Sequence, residues 1–213
     1  MMTRIILATI LAATTCFCAP APVKKYPEIQ SLYAKLQEQP GSALYFEYGV
    51  LCHNTARSSH DPDLIPIAEE ALGKITSQDK EYAVARMYLG SLWTLKALHS
   101  WFPPNKLKFV QEGVAIMDQT IEANPRQPLL RYIRLSNNVN LPSFFNRTDT
   151  CRDDAVFLIG ACAQPDSCTL TASQLTNVYT LLQRIYEAAG DTVKAGEIAA
   201  QLKRMGSAES GAR

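Results

Sequence analysis

Histidine is scarce and poorly placed for metal. The three residues, at 53, 60 and 99, have no partner at i+4, and no Cys-x-x-Cys occurs anywhere in the chain. Zinc centres use such pairings, so neither a metal nor a cofactor is expected. Surplus charge is equally lacking, with 21 Lys and Arg against 20 Asp and Glu for a net +1. A nucleic-acid partner would need a basic face for phosphates, and none is expected. Runs of alternating β-branched residues between turn signals are missing, which argues against a sheet. No Gly-x-Ser-x-Gly or equivalent surrounds Ser100 or Ser143, so no nucleophile motif is in view.

What is present suits a helical core: 47% hydrophobic and 19% charged residues, enough for one globular domain. The opening "MMTRIILATILAATTCFCAPAPVKK" stands apart. Arg4 is a short basic start, and Ile5–Ala13 is apolar but too short to span a bilayer. Residues 1–18 are therefore read as an export leader, 19–26 as a tether, 27–206 as the domain and 207–213 as a disordered tail. "AATTC" resembles a relaxed bacterial lipobox, which would lipidate Cys16 and anchor the chain to a membrane. Ala13 stands where Leu is usual and Thr15 is a poor residue before the cut, so cleavage near Cys18-Ala19 stays open. The expected place is the periplasm, free or membrane-anchored as a lipoprotein.

Export makes disulfides more natural than metal ligation for Cys52, Cys151, Cys162 and Cys168. Cys162 and Cys168 bracket a turn-rich "AQPDS" and suit a local bridge. Cys52 with Cys151 would then be a long-range staple, unless both are buried thiols.

Helical stripes recur along the domain. "YPEIQSLYAKLQEQ" places Ile29, Leu32, Tyr33 and Leu36 at i, i+3, i+4 and i+7. A second helix runs from Ser42 to about Ala56, and Asp63 offers a cap for "LIPIAEEALGKI". "DKEYAVARMYLGSLWTLKALHS" and "NKLKFVQEGVAIMDQTIEAN" form a longer pair about Pro103-Pro104. "QPLLRYIRLSNNV" and "CRDDAVFLIGACA" form a third, and "TASQLTNVYTLLQRIYEAAG" with "DTVKAGEIAAQLKRM" a fourth. Thr169 or Thr171 offers a cap at the start of that last pair.

Helix pairs at a near-regular period are the mark of a solenoid. In the last pair Tyr179, Leu182, Tyr186, Gly190, Ala195 and Ala199 fall at the spacings of tetratricopeptide repeats, which the chain resembles. Leu89, Gly90 and Trp93 match the first helix of a unit, and Gly113, Met117, Thr120 and Pro125 the second. That unit departs by roughly eleven extra residues centred on "HSWFPPNK". Lys96-Ala97-x-x-Ser100-Trp101-x-Pro103 together with Leu141-Pro142-x-Phe144 also resembles a largely uncharacterised group of exported bacterial helical-repeat proteins, over 82–160. The resemblance implies an all-α fold of antiparallel helix pairs, stacked as a short right-handed solenoid, and a non-catalytic role.

Alternate hairpins of such a stack share an end. The loops carrying Trp101 and Phe102 and carrying Phe144 and Phe145 should therefore lie together. The default expectation is that these four aromatics pack on one another and on the helix ends. The alternative is an exposed rim that binds a partner. Arg131, Arg134 and Asn138 share a helix face, a solvated one by default or else a wall for an acidic peptide. Asp149, Asp153, Asp154 and Thr148 read as charge and caps at a helix start. The three histidines are expected at or near the surface. The functional expectation is a non-enzymatic scaffold that binds another protein or peptide. The rivals are a small-ligand-binding partner of a transporter and a structural adaptor of an outer-membrane assembly.

Overall fold

Proline opens three helices because its fixed φ suits a first turn, where a missing N–H costs no hydrogen bond. Pro27 begins α1 (Pro27–Glu38), Pro103 begins α5 (Pro103–Ala123) and Pro128 begins α6 (Pro128–Asn138). The computed structural model describes residues 19–163 and 168–211, and among these the chain is all-helical with no strand. The remaining helices are α2 (Ser42–Ser59), α3 (Leu64–Gly73), α4 (Tyr82–His99), α7 (Thr148–Cys162), α8 (Ala172–Ala188) and α9 (Thr192–Gly211). Residues 1–18, read as a leader, and Cys16 among them lie outside the described residues, as do 164–167 and the last two positions. No described helix is long and apolar enough to cross a membrane.

Local chemistry sets most helix ends. Thr171 and Gln174 form a reciprocal capping box at the start of α8, with bonds of 3.2 and 2.8 Å. Gly190 takes φ 74° to turn α8 into α9, and Asp191 Oδ1 then accepts from the Lys194 N–H at 3.1 Å. Asp63 does not cap α3. Its side chain makes no cap bond, and Asp61 instead accepts from the Asp63 N–H at 3.1 Å. At the other end of the chain, residues expected to fray continue α9 as far as Gly211.

Each helix packs against the next in the chain, and α2 on α4, α4 on α6 and α6 on α8 form a second series of contacts. The apolar core is divided accordingly. One cluster gathers α1 to α4 around Leu64, Leu72 and Leu92. A second joins α4, α5 and α6 through Met87, Met117 and Leu130. A third joins α6 to α9 through Leu135, Leu158 and Leu182. Residues 19–26 are docked on the first: Val23 is fully buried in a 3₁₀ turn, and the Tyr26 hydroxyl donates to Asp61 at 3.0 Å.

The tightest crossing is between α4 and α5. A Cβ added at Gly113 would lie 2.5 Å from the Gly90 carbonyl oxygen and 2.9 Å from Thr94 Cγ2. A Cβ at Gly90 would meet the Gly113 carbonyl oxygen at 2.8 Å. Two backbones thus touch without side chains between them, and neither can yield without shifting a helix. Gly113→Ala is expected to destabilise the fold by about 2–3 kcal/mol, as overpacking of a fitted interior does. Urea unfolding followed by circular dichroism checks it, with the midpoint moving and the slope unchanged.

Candidate binding groove

The α4–α5 hairpin projects past α6. At 1.5 Å per residue α4 is ~27 Å long and α5 ~31 Å, whereas α6 reaches only ~16 Å. The extra residues of this unit are therefore mostly additional helical turns, and the connection shrinks to Ser100–Phe102. Ser100 and Phe102 are both extended, and Pro103-Pro104 form the first turn of α5.

So short a link leaves no slack to fold Trp101 back over the helix ends. Trp101 is 88% exposed and pairs with Phe102 at 5.6 Å between ring centroids. In the loop after α6, the 3₁₀ turn Ser143–Phe145 is closed by Asn146 at φ 53° and pairs Phe144 with Phe145 at 4.4 Å. The rings meet within each loop, and no ring pair crosses from Trp101 or Phe102 to Phe144 or Phe145 among the described residues. This corrects the expectation of a packed aromatic cap.

The two loops do share an end, as the alternation of hairpins requires. Between them runs a groove of about 370 Å³ whose walls are Ala97 and Leu98 of α4, Leu107 and Val110 of α5, and Pro142 with the two phenylalanines. Leu98 is 71% and Phe144 68% exposed, so the groove is open along its length. Beyond the Leu141-Pro142 wall lies a more polar cleft of about 400 Å³, lined by Asn138, Arg147, Thr148, Cys151 and Arg184 among others.

Arg131 and Arg134 do not line a peptide wall. They point inward to Asp154, whose side chain has no solvent exposure. Arg131 Nη1 donates to Asp154 Oδ1 at 2.9 Å, and Arg134 grips both carboxylate oxygens at 2.8 Å each. Arg134 also reaches Asp118 of α5 at 2.8 Å, and Arg147 holds Asp118 with bonds of 2.9 and 2.6 Å. Asn138, read as part of an open face, is buried. Its amide oxygen, oriented as its neighbours require, accepts from Arg147 Nε and Nη2, both at 3.1 Å. Burial works against the Arg134 charge, but the hydrogen bonds and field of Asp154 and then Asp118 outweigh it and raise its pKa further. Of the acidic cluster at the start of α7, only Asp149 and Asp153 stay on the surface, beside Arg152.

His53 corrects a further expectation, being only 3% exposed. Its Nδ1–H donates to Asn54 Oδ1 at 2.9 Å, and Nε2 accepts from the Ser91 hydroxyl at 2.8 Å. Asn137 then donates to Ser91 Oγ at 3.0 Å and to Thr94 Oγ1 at 2.8 Å. A Ser–His–Asn row has the look of a nucleophile with its base. Ser91 nevertheless sits in the middle of α4, where its N–H is spent in the helix and supplies no oxyanion donor. Burial moreover pushes His53 down to about 4, too weak to serve as an effective base. The row ties α2 to α4 and α6.

Cys162 and Cys168 form the local disulfide expected for them. Cys52 and Cys151 are free and lie in separate core clusters, so the long-range staple does not form. Burial holds their thiols up, at about 12 and about 11, so both stay protonated at neutral pH. Among the described residues no group of three His, Cys, Asp or Glu could hold a metal. Comparison with protein-family models, curated proteins and solved structures finds no match.

Asp154→Ala is expected to cost roughly 3 kcal/mol, because it leaves half-buried Arg131 without a carboxylate and Arg134 with Asp118 alone. Thermal unfolding checks it, and Asp153→Ala on the exposed face should leave the midpoint almost unmoved. A second expectation concerns pH. The unfolded chain takes up a proton at His53 below pH 6.5, while the folded chain resists until about 4. Stability is therefore lost as pH falls through that window, by up to about 3 kcal/mol. His53→Gln should flatten the pH dependence of the denaturation midpoint between those values.

Proposed function

We propose that this protein is a non-enzymatic, tetratricopeptide-like scaffold of the bacterial cell envelope that binds another protein or peptide through its aromatic groove. The observation that carries this reading is the exposed apolar group of Leu98, Leu107 and Phe144 lining one open groove, with exposed Trp101 two residues before its Pro103. Isolated apolar residues on a surface are ordinary, but a contiguous patch bordering a concave slot marks an interaction surface. The second series of contacts among even-numbered helices supports the repeat reading, since stacked hairpins bury their faces in that order. The export leader and the Cys162–Cys168 bridge agree with an oxidising compartment. Arg131 and Arg134 drop out of the binding set, because their charges are spent on Asp118 and Asp154.

Affinity capture from the native envelope with the wild type and with Trp101→Ala/Phe144→Ala tests this. Loss of the specific partner by about tenfold or more is expected while the thermal midpoint of the variant stays put. Recovery of the same partners by both proteins would remove the groove from the interface.

A further inference from the structure

The apolar groove does not stop at its α4 wall. Thr94, Leu98, Asn140 and Leu141 also border a smaller recess of about 110 Å³, reached by Arg57 from the end of α2 and floored by Ser91, Ser136 and Asn137. One side of this composite site is therefore apolar and the other polar.

Three features of the composite site point to a ligand. The two linings together contain two cations, Arg57 and Lys106, and no carboxylate. Both cations are exposed, and neither makes an ion pair with a described residue. By contrast, Lys96 is paired with Glu69 and Arg134 with Asp154. In addition, Ser136 Oγ and Asn137 Oδ1 are closed off from solvent and have no hydrogen-bond partner. Buried polar atoms are nearly always satisfied, so two orphans in one recess call for a donor and an acceptor from elsewhere.

We propose that groove and recess are a single site for an extended peptide segment carrying large apolar side chains beside an acidic residue. The apolar side chains sit between α4, α5 and Pro142–Phe145, and the carboxylate faces Arg57. A charge-assisted bond to a guanidinium is among the stronger polar contacts available there. A peptide fits better than a single-chain fatty carboxylate. Asn137 Oδ1 needs an N–H donor, which a peptide backbone supplies and an ionised fatty acid does not. The open side along Leu98 and Phe144 also lets a chain enter and leave. This inference rests on the reading of the groove as a peptide-binding surface.

The test is selection of a phage-displayed random dodecapeptide library on the full chain, on Arg57→Glu/Lys106→Glu and on Leu107→Glu. All three altered side chains are exposed, and matched thermal melts confirm that the variants are folded. The wild type should enrich sequences that combine paired large apolar residues with Asp or Glu. The charge-reversed protein should shift that preference to Lys or Arg, and Leu107→Glu should abolish enrichment. Synthetic versions of the enriched peptides should bind Arg57→Glu about tenfold more weakly than the wild type. Apolar sequences without acidic preference, identical for wild type and the charge-reversed protein, overturn the proposal and leave the groove reading standing. No enrichment on the wild type, or enrichment that survives Leu107→Glu, overturns both. Failure to select peptides together with binding to phosphatidylglycerol vesicles would assign the groove to a membrane surface.

Discussion

Asp154 is a carboxylate without solvent, and the position of α6 depends on it. Burying such a charge costs several kcal/mol unless its lone pairs are filled. Here Arg131 and Arg134, one turn apart on α6, fill them. The arrangement matters because α6 has only 11 residues yet serves two cores, with Leu130 and Ile133 toward α4 and α5 and Leu135 toward α7 and α8. With its apolar positions committed to both sides, the helix is oriented by a polar clamp instead. Asp118 extends the clamp to α5, and Arg147 carries it to the start of α7. Arg131 adds bonds of 3.3 and 3.2 Å to the Pro125 carbonyl and lies over the Phe157 ring at 4.3 Å. The network is thus the joint between the N-terminal and C-terminal parts of the domain.

The groove follows from that joint. Because α6 is held short and in place, the ends of α4 and α5 project beyond it, and the chain after α6 must fold back against their flank. Gly90 and Gly113 keep the projecting pair in backbone contact, so the pair stands as one stiff arm. Its outer apolar residues, Leu98 and Leu107, then find no helix opposite them. The Pro142–Phe145 turn covers one side only, and an open slot results. A clamp made of charges in the interior and an exposed apolar slot nearby are two consequences of one short helix between long ones.

Much of the scaffold was legible in the residues. The helical stripes, the reversal at Pro103-Pro104 and a threonine cap at 169 or 171 all act through neighbours within a few positions, which is the range that periodicity and capping rules cover. Gly90 and Gly113 stood out only through the tetratricopeptide resemblance, and the α4–α5 crossing supplies the reason for them. The alternation of hairpin ends alone put the two aromatic loops at one end of the stack. Arg131 and Arg134 were visible as a shared face, but whether that face met water or Asp154 depended on a residue more than a turn of chain away on another helix. Asp154 itself sits where helix-start acids are common, and its neighbours Asp149 and Asp153 do behave that way.

The sequence by itself therefore determined the helices, their order, their turns and which ends they share, since each of these is a short-range property of backbone and side chain. Tertiary structure alone decided which charges are buried in pairs, that His53 lies inside while Trp101 lies outside, and that Cys52 and Cys151 never meet. Those outcomes depend on relative helix length and on what stands opposite each face, and no local pattern encodes either. "HSWFPPNK" shows the division most clearly. Its prolines dictate a tight reversal, but only the shortness of α6 leaves the reversed arm bare.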